Sequence, residues 1–140
     1  MLSQLKSLID IYNRYRDNNI ILHLIEDNPD LTERQILELK YSTKVKTRAL
    51  GAIIKMNKDS EPEEINSAIR NFWFELRSEW IRHNMINNYN MVTYGHADQV
   101  SVMQSAFVSG MIGELETLIP QSDLTQMEEI MVKIQYSGGN

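Results

Sequence analysis

A chain of 140 residues is of single-domain length and can bury a sizeable core. Its 42% hydrophobic and 24% charged residues give it the composition of a globular protein, and three prolines and six glycines are few for the tight turns of an all-β fold. The absence of cysteine excludes disulfides, thiolate metal sites and a cysteine nucleophile, and a net charge of −5 argues against a dedicated nucleic-acid binder.

The first residues, MLSQLKSLIDIYNRYRDNN, lack the apolar core and the small-residue cleavage site of a secretory signal. The longest apolar run, IILHLI, is far too short to span a bilayer. A cytoplasmic protein without membrane association is the expectation. Leu5, Leu8, Ile9, Tyr12 and Tyr15 form a helical stripe that buries a first helix. Asn18 and Asn19 are placed to break it. Residues 20–25 have strand-like composition but no partner strand, so a buried helical turn is expected there, with His23 in a structural role. Pro29 ends this region, because the residue before a proline avoids the helical conformation.

The second helix has a clear start. Thr32 and Gln35 have the spacing of a capping box, and Leu31 and Ile36 that of a hydrophobic staple. It is expected to reach about Met56, with Leu39, Val45, Ala49, Leu50, Ile53 and Met56 facing the core. A second box, Ser60 with Glu63, opens a third helix, and Pro62 fits its first turn. Ile65, Ile69, Phe72, Leu76 and Trp80 lie on one side of that helix; Phe74, Ile81 and Met85 lie on the opposite side. Burial on two sides would make it the central helix.

The Asn-rich stretch NNYNMVTYGHAD reads as a loop or frayed end, in which Tyr89, Met91 and Tyr94 are candidates for exposed contact. Asp98 caps a fourth helix with the stripe Val100, Met103, Phe107, Met111, Leu115 and Leu118. Its small residues Ala106, Ser109 and Gly113 invite close approach of a neighbour, and Pro120 closes it. Ser122 starts a last helix carrying Leu124, Met127, Ile130, Met131 and Ile134, which Ser137, Gly138 and Gly139 end. The resulting fold class is all-α: an irregular bundle of five to six helices, one domain over residues 1–136, with a flexible tail at 137–140.

Charge is unevenly distributed. From Lys40 to Lys58 there are six basic residues and no acid, whereas from Asn84 to Asn140 only Lys133 is basic, against six acids. At about 100° per residue, Lys40, Lys44, Arg48, Lys55 and Lys58 share a narrow sector of the second helix. Such a rail suits phosphate contacts or an acidic protein surface equally, and also an ordinary solvated face. Tyr41 is its sole aromatic, so stacking of single-stranded bases is poorly supported. Lys46 points toward the apolar arc and would have to snorkel. A helix-turn-helix is excluded because Gly51 comes too late to divide the segment into two short helices.

Glu79 and His83, four residues apart on a helix, can form a polar tie at the core edge, orient a general base or supply two metal ligands. There is no Glu-x-x-His and no His-Glu-x-x-His sequence, so a bundle metal centre lacks its pattern even if His96 were to join. No Gly-rich phosphate loop, nucleophile elbow or dinucleotide fingerprint is present, and no cofactor is expected. Six of eight methionines (Met85, Met91, Met103, Met111, Met127, Met131) lie in the acidic half, most at core spacing. In its abundance of Ile, Asn and Met, its lack of cysteine and its small size, the composition is similar to that of small phage accessory proteins, which would place it in the host cytoplasm. The leading expectation is a non-enzymatic adaptor or regulatory protein, acting on a protein partner or on its own copies. The alternatives are a nucleic-acid-associated protein using the Lys40–Lys58 face, or an acid/base or metal site at Glu79 and His83.

Overall fold

The computed structural model describes residues 3–17 and 25–138, with side chains as far as Ile134. Among these residues there are five helices and no strand: α1 (Ser3–Asp17), α2 (Glu33–Met56), α3 (Pro62–Tyr94), α4 (Gln99–Glu116) and α5 (Gln121–Gly138). The all-α class is as expected from the sequence. The break at Asn18 and Asn19, the turn beginning at Ile20 and the role of His23 lie outside the described residues. Ile25 is helical and fully buried.

α1 buries Leu5, Leu8 and Ile11, while Ile9, Tyr12 and Tyr15 pack at the margin of the core. The capping box of α2 is complete. Thr32 Oγ1 accepts the Gln35 amide at 3.2 Å, and Gln35 Oε1 accepts the Thr32 amide at 2.9 Å. Leu31 and Ile36 join Ile25, Leu39 and Val100 in a small satellite core, which fixes the entry into the helix. The helix ends at Met56 as expected, but its buried face is rotated from the expected one. Leu39, Thr43, Thr47 and Leu50 point inward, while Val45 and Met56 are exposed. The two threonines tolerate burial because their hydroxyls donate to their own helix, Thr43 to the Lys40 carbonyl at 3.0 Å and Thr47 to the Thr43 carbonyl at 2.9 Å.

α3 starts differently from the expectation. Glu61 is the N-cap, Pro62 occupies the first turn, and no side chain caps the helix, so the Ser60–Glu63 box does not form. Glu63 and Glu64 complement the helix dipole instead. Ile65, Ile69, Phe72, Trp73 and Leu76 are buried. The second expected apolar side is not closed over: Phe74 and Ile81 are half-buried and Met85 is exposed. The Asn-rich stretch is not a loop. α3 runs on through it to Tyr94 and stops at Gly95, whose φ of 78° is the left-handed conformation that terminates helices.

Three residues after Gly95, Asp98 caps α4, accepting from the Val100 amide at 3.1 Å and from Ser101 Oγ at 3.3 Å. α3 and α4 form an antiparallel hairpin: Trp73 Nε1 meets Glu116 at 3.5 Å near one end, and Ser105 Oγ donates to Asn84 at 3.2 Å toward the other. Val108 and Ile112 join the expected Val100, Phe107, Met111 and Leu115 inside. Ala106, Ser109 and Gly113 are exposed, so no described helix approaches along that small-residue face.

α5 begins at Gln121, one residue before the expected Ser122, and remains helical through Ser137 and Gly138. Leu124, Met127 and Met131 are buried, but Ile130 and Ile134 are exposed. The ion pairs Arg70–Asp123 at 2.6 Å and Arg77–Glu128 at 2.8 Å set α5 beside α3, running in the same direction. α1 closes the main core from the other side. The Tyr15 ring meets Phe107 edge-on at 5.5 Å, and Tyr12 lies over Gly51, where an added Cβ would come within 2.9 Å of the ring. No described helix is long and apolar enough to cross a membrane.

Candidate functional site

The basic rail lies along the edge of α2 that faces α1, flanking the core face and not opposite to it. This follows from the rotation of α2: with Thr43 and Thr47 inward, Lys40, Lys44 and Arg48 fall on the rim of a cleft of about 480 Å³ whose other wall carries Tyr12, Tyr15 and Arg16. A second cleft of about 370 Å³ continues it past Tyr12 and Arg48 to Gly51, Ala52 and Lys55. Together they form a groove along the α1–α2 seam. Lys58 is not on the rail, because it follows the C-cap Asn57 in the turn after the helix.

The cations of this groove are not equivalent. Lys40 Nζ is held by Glu26 at 2.7 Å. Arg16 makes a two-pronged pair with Asp17, holding its carboxyl below the usual carboxylate range, and lies 5.4 Å from the centre of the Tyr12 ring. Lys44, Arg48 and Lys55 make no ion pair with any described residue. They are the cations free to meet a ligand. Next to them on the outer side of α2, Tyr41, Val45 and Met56 are exposed apolar residues, Met56 to 80%.

Lys46 does not snorkel. It is only 13% exposed, and its Nζ reaches Glu79 Oε1 at 2.7 Å and Ser42 Oγ at 3.1 Å. The same Glu79 oxygen lies 3.3 Å from His83 Nε2, with Glu79 at 21% and His83 at 13% exposure. Helical spacing discloses the Glu79–His83 pair but not Lys46 as its third member, because a lone lysine on an apolar arc carries no signal of the carboxylate it will meet across the fold. One carboxylate thus bridges two cationic or hydrogen-donating groups between α2 and α3. Gln104 of α4 reaches the same Ser42 hydroxyl at 3.4 Å. Among the described residues His83 Nδ1 is buried without a hydrogen-bond partner, and one turn on Asn87 Oδ1 is another such atom.

This polar seam is consumed by its own contacts. None of Lys46, Glu79 and His83 lines either cleft of the α1–α2 groove. His96 does not join it: it is exposed in the α3–α4 loop and stacks on Tyr94 at 6.2 Å. Tyr94 lies eleven residues beyond His83 on the same helix, roughly 16 Å away at 1.5 Å per residue. No group of three metal-ligating side chains occurs among the described residues.

Tyr89, Met91 and Tyr94 are exposed as expected of contact residues, though on a helix and not a loop, with Tyr89 and Tyr94 edge-on at 6.3 Å. Met85, expected on a buried side of the helix, is exposed beside them, as are Ile86 and Val92, which carry no signal in the sequence. Glu116, Glu128 and Glu129 with Leu124 and Val132 line a shallow cleft of about 630 Å³ against α5. The chain matches no protein-family model, no curated protein and no solved structure, so these surfaces are read from their own geometry.

Proposed function

We propose that this protein is a non-enzymatic helical adaptor or regulatory protein that holds an acidic protein partner along the α1–α2 groove. The observation that carries the reading is the pairing, on one helix, of unpaired Lys44, Arg48 and Lys55 with exposed Tyr41, Val45 and Met56. Protein interfaces combine an apolar patch with a charged rim, whereas a phosphodiester backbone has no use for the apolar strip. The net charge of −5 also opposes long-range attraction of nucleic acid. An enzymatic reading is less well supported, because the Lys46–Glu79–His83 cluster is occupied with itself. The lack of cysteine suits a reducing compartment, and the cytoplasm, that of a host if the chain is phage-encoded, is the proposed location.

The test uses two defined probes at low salt: a synthetic amphipathic helix of alternating glutamate and leucine faces, and a short DNA duplex. The peptide is expected to bind and to be released by salt, since exposed charges are screened within about 8 Å at physiological ionic strength. Lys44→Glu with Arg48→Glu should abolish binding. Failure of both probes to bind would remove the reading. Retention of DNA alone, with a steep salt slope, would replace it by the nucleic-acid alternative.

A further inference from the structure

The distal part of α3 is patterned inside out. Toward α2 and α4 it presents Glu79, His83, Asn84 and Asn87, while its solvent side carries Met85, Tyr89 and Val92, the last 89% exposed. No Asp, Glu, Lys or Arg occurs from Asn84 to Ala97. Phe74, Ser78, Ile81, Met85, Asn88 and Val92 follow steps of four and three along the helix, the spacing of a coiled-coil seam. Phe74 and Ile81 are half-buried at its proximal end, and the remaining four are exposed.

We propose that this seam is a self-association surface, occupied by α3 of a second copy of the chain across a two-fold axis near Asn88. The charge pattern selects that occupant. Close to a two-fold axis each residue meets its own copy, so a charge there would face a like charge; the uncharged stretch from Asn84 to Ala97 surrounds Asn88, avoids that repulsion and offers nothing to a charged partner. An asparagine at a core position of a helix pair can be satisfied by the same residue of its partner, which fixes register. About an axis at Asn88 two antiparallel copies of α3 overlap only from about residue 82 to Tyr94, so Met85, Asn88 and Val92 carry the contact, far fewer than the roughly 20–30 residues per side of a standard interface, and the dimer is weak and reversible on dilution. The contact is independent of the α1–α2 groove, which lies on other helices.

Two measurements test the proposal. Sedimentation of the whole protein from about 1 mM to about 10 μM should show a monomer–dimer equilibrium that persists in about 0.5 M salt, where exposed charges are screened. Val92→Glu with Met85→Glu should give a monomer throughout, with an unchanged melting temperature because both side chains are exposed in the monomer. The chain has no cysteine, so a single introduced thiol reports contact directly. Under mild oxidation Asn88→Cys should form a disulfide-linked dimer, and Ser67→Cys, exposed on proximal α3, should not. A monomer at about 1 mM, a dimer indifferent to the two glutamates, or one dissolved by salt would overturn the proposal. The last outcome would transfer the contact to a charged surface without touching the adaptor reading.

Discussion

The two halves of the α3–α4 hairpin share one antiparallel backbone and fill it with opposite chemistry. In the proximal half Phe72, Trp73 and Leu76 bury against Phe107, Met111 and Leu115 in one apolar core. In the distal half the space is taken by Glu79, His83, Asn84 and Asn87, met by Lys46 from α2 and Ser105 from α4. Apolar burial contributes about 1.5–3 kcal/mol per large side chain. A polar pair returns far less, because its members lose water to find each other. The proximal half therefore anchors the fold, and the distal half fixes alignment while leaving apolar side chains outside.

The contrast predicts a graded set of responses. Trp73→Ala should be the most damaging, at about 3–5 kcal/mol by chemical denaturation, since it empties a fully buried indole site. Glu79→Ala should cost about 1–3 kcal/mol, because it strands Lys46 and His83 together. The double variant Lys46→Met, Glu79→Leu should recover most of that loss. A double variant as unstable as the single would mean that the distal half is held by charge after all.

Tyr15, packed on Phe107 in the proximal core, gives an alkaline signature. Burial, then the nearby Glu114 carboxylate, pushes its phenol up from 10.0 to about 12. A raised folded pKa contributes stability that is complete below the unfolded value and lost as pH rises through the folded one. Unfolding free energy should therefore decline between pH 10 and 12, by on the order of 1 kcal/mol after discounting for partial exposure, and Tyr15→Phe should remove that slope. The smallest effect belongs to Asn87→Leu. Replacing a buried acceptor that has no partner should leave stability unchanged or slightly raise it, whereas a loss above about 1 kcal/mol would show that the amide has a structural role.

What the sequence discloses follows the same division. The Thr32–Gln35 box, the Asp98 cap and the proximal stripe of α3 were legible because each is a local pattern of a few residues. Trp73 was missed because it lies beside that stripe, at an angle where only the approach of α4 decides burial. The face of α2 was misjudged because a threonine counts as polar until its hydroxyl is seen to bond its own helix. The length of α3 was misjudged because asparagine has poor helix propensity, only a few tenths of a kcal/mol per residue worse than good formers, and packing on α4 overrides it. Gly95 and Asp98 together mark the true turn and were the signal available. Of the site, the cations of the groove were legible by helical spacing, while the Lys46–Glu79 bond joins residues too distant in the chain for spacing to reveal.

The contact of Tyr12 with Gly51 has a consequence for the groove itself. The width of that channel is set by a missing methyl group: with hydrogen in place of Cβ, the phenol ring can rest against α2 and draw α1 in. A Cβ at position 51 would come within 2.9 Å of the Tyr12 ring, so that ring would have to shift, and because it walls both clefts the shape of the groove would shift with it. The calibre of the proposed docking channel thus depends on a residue that has no side chain to offer a ligand.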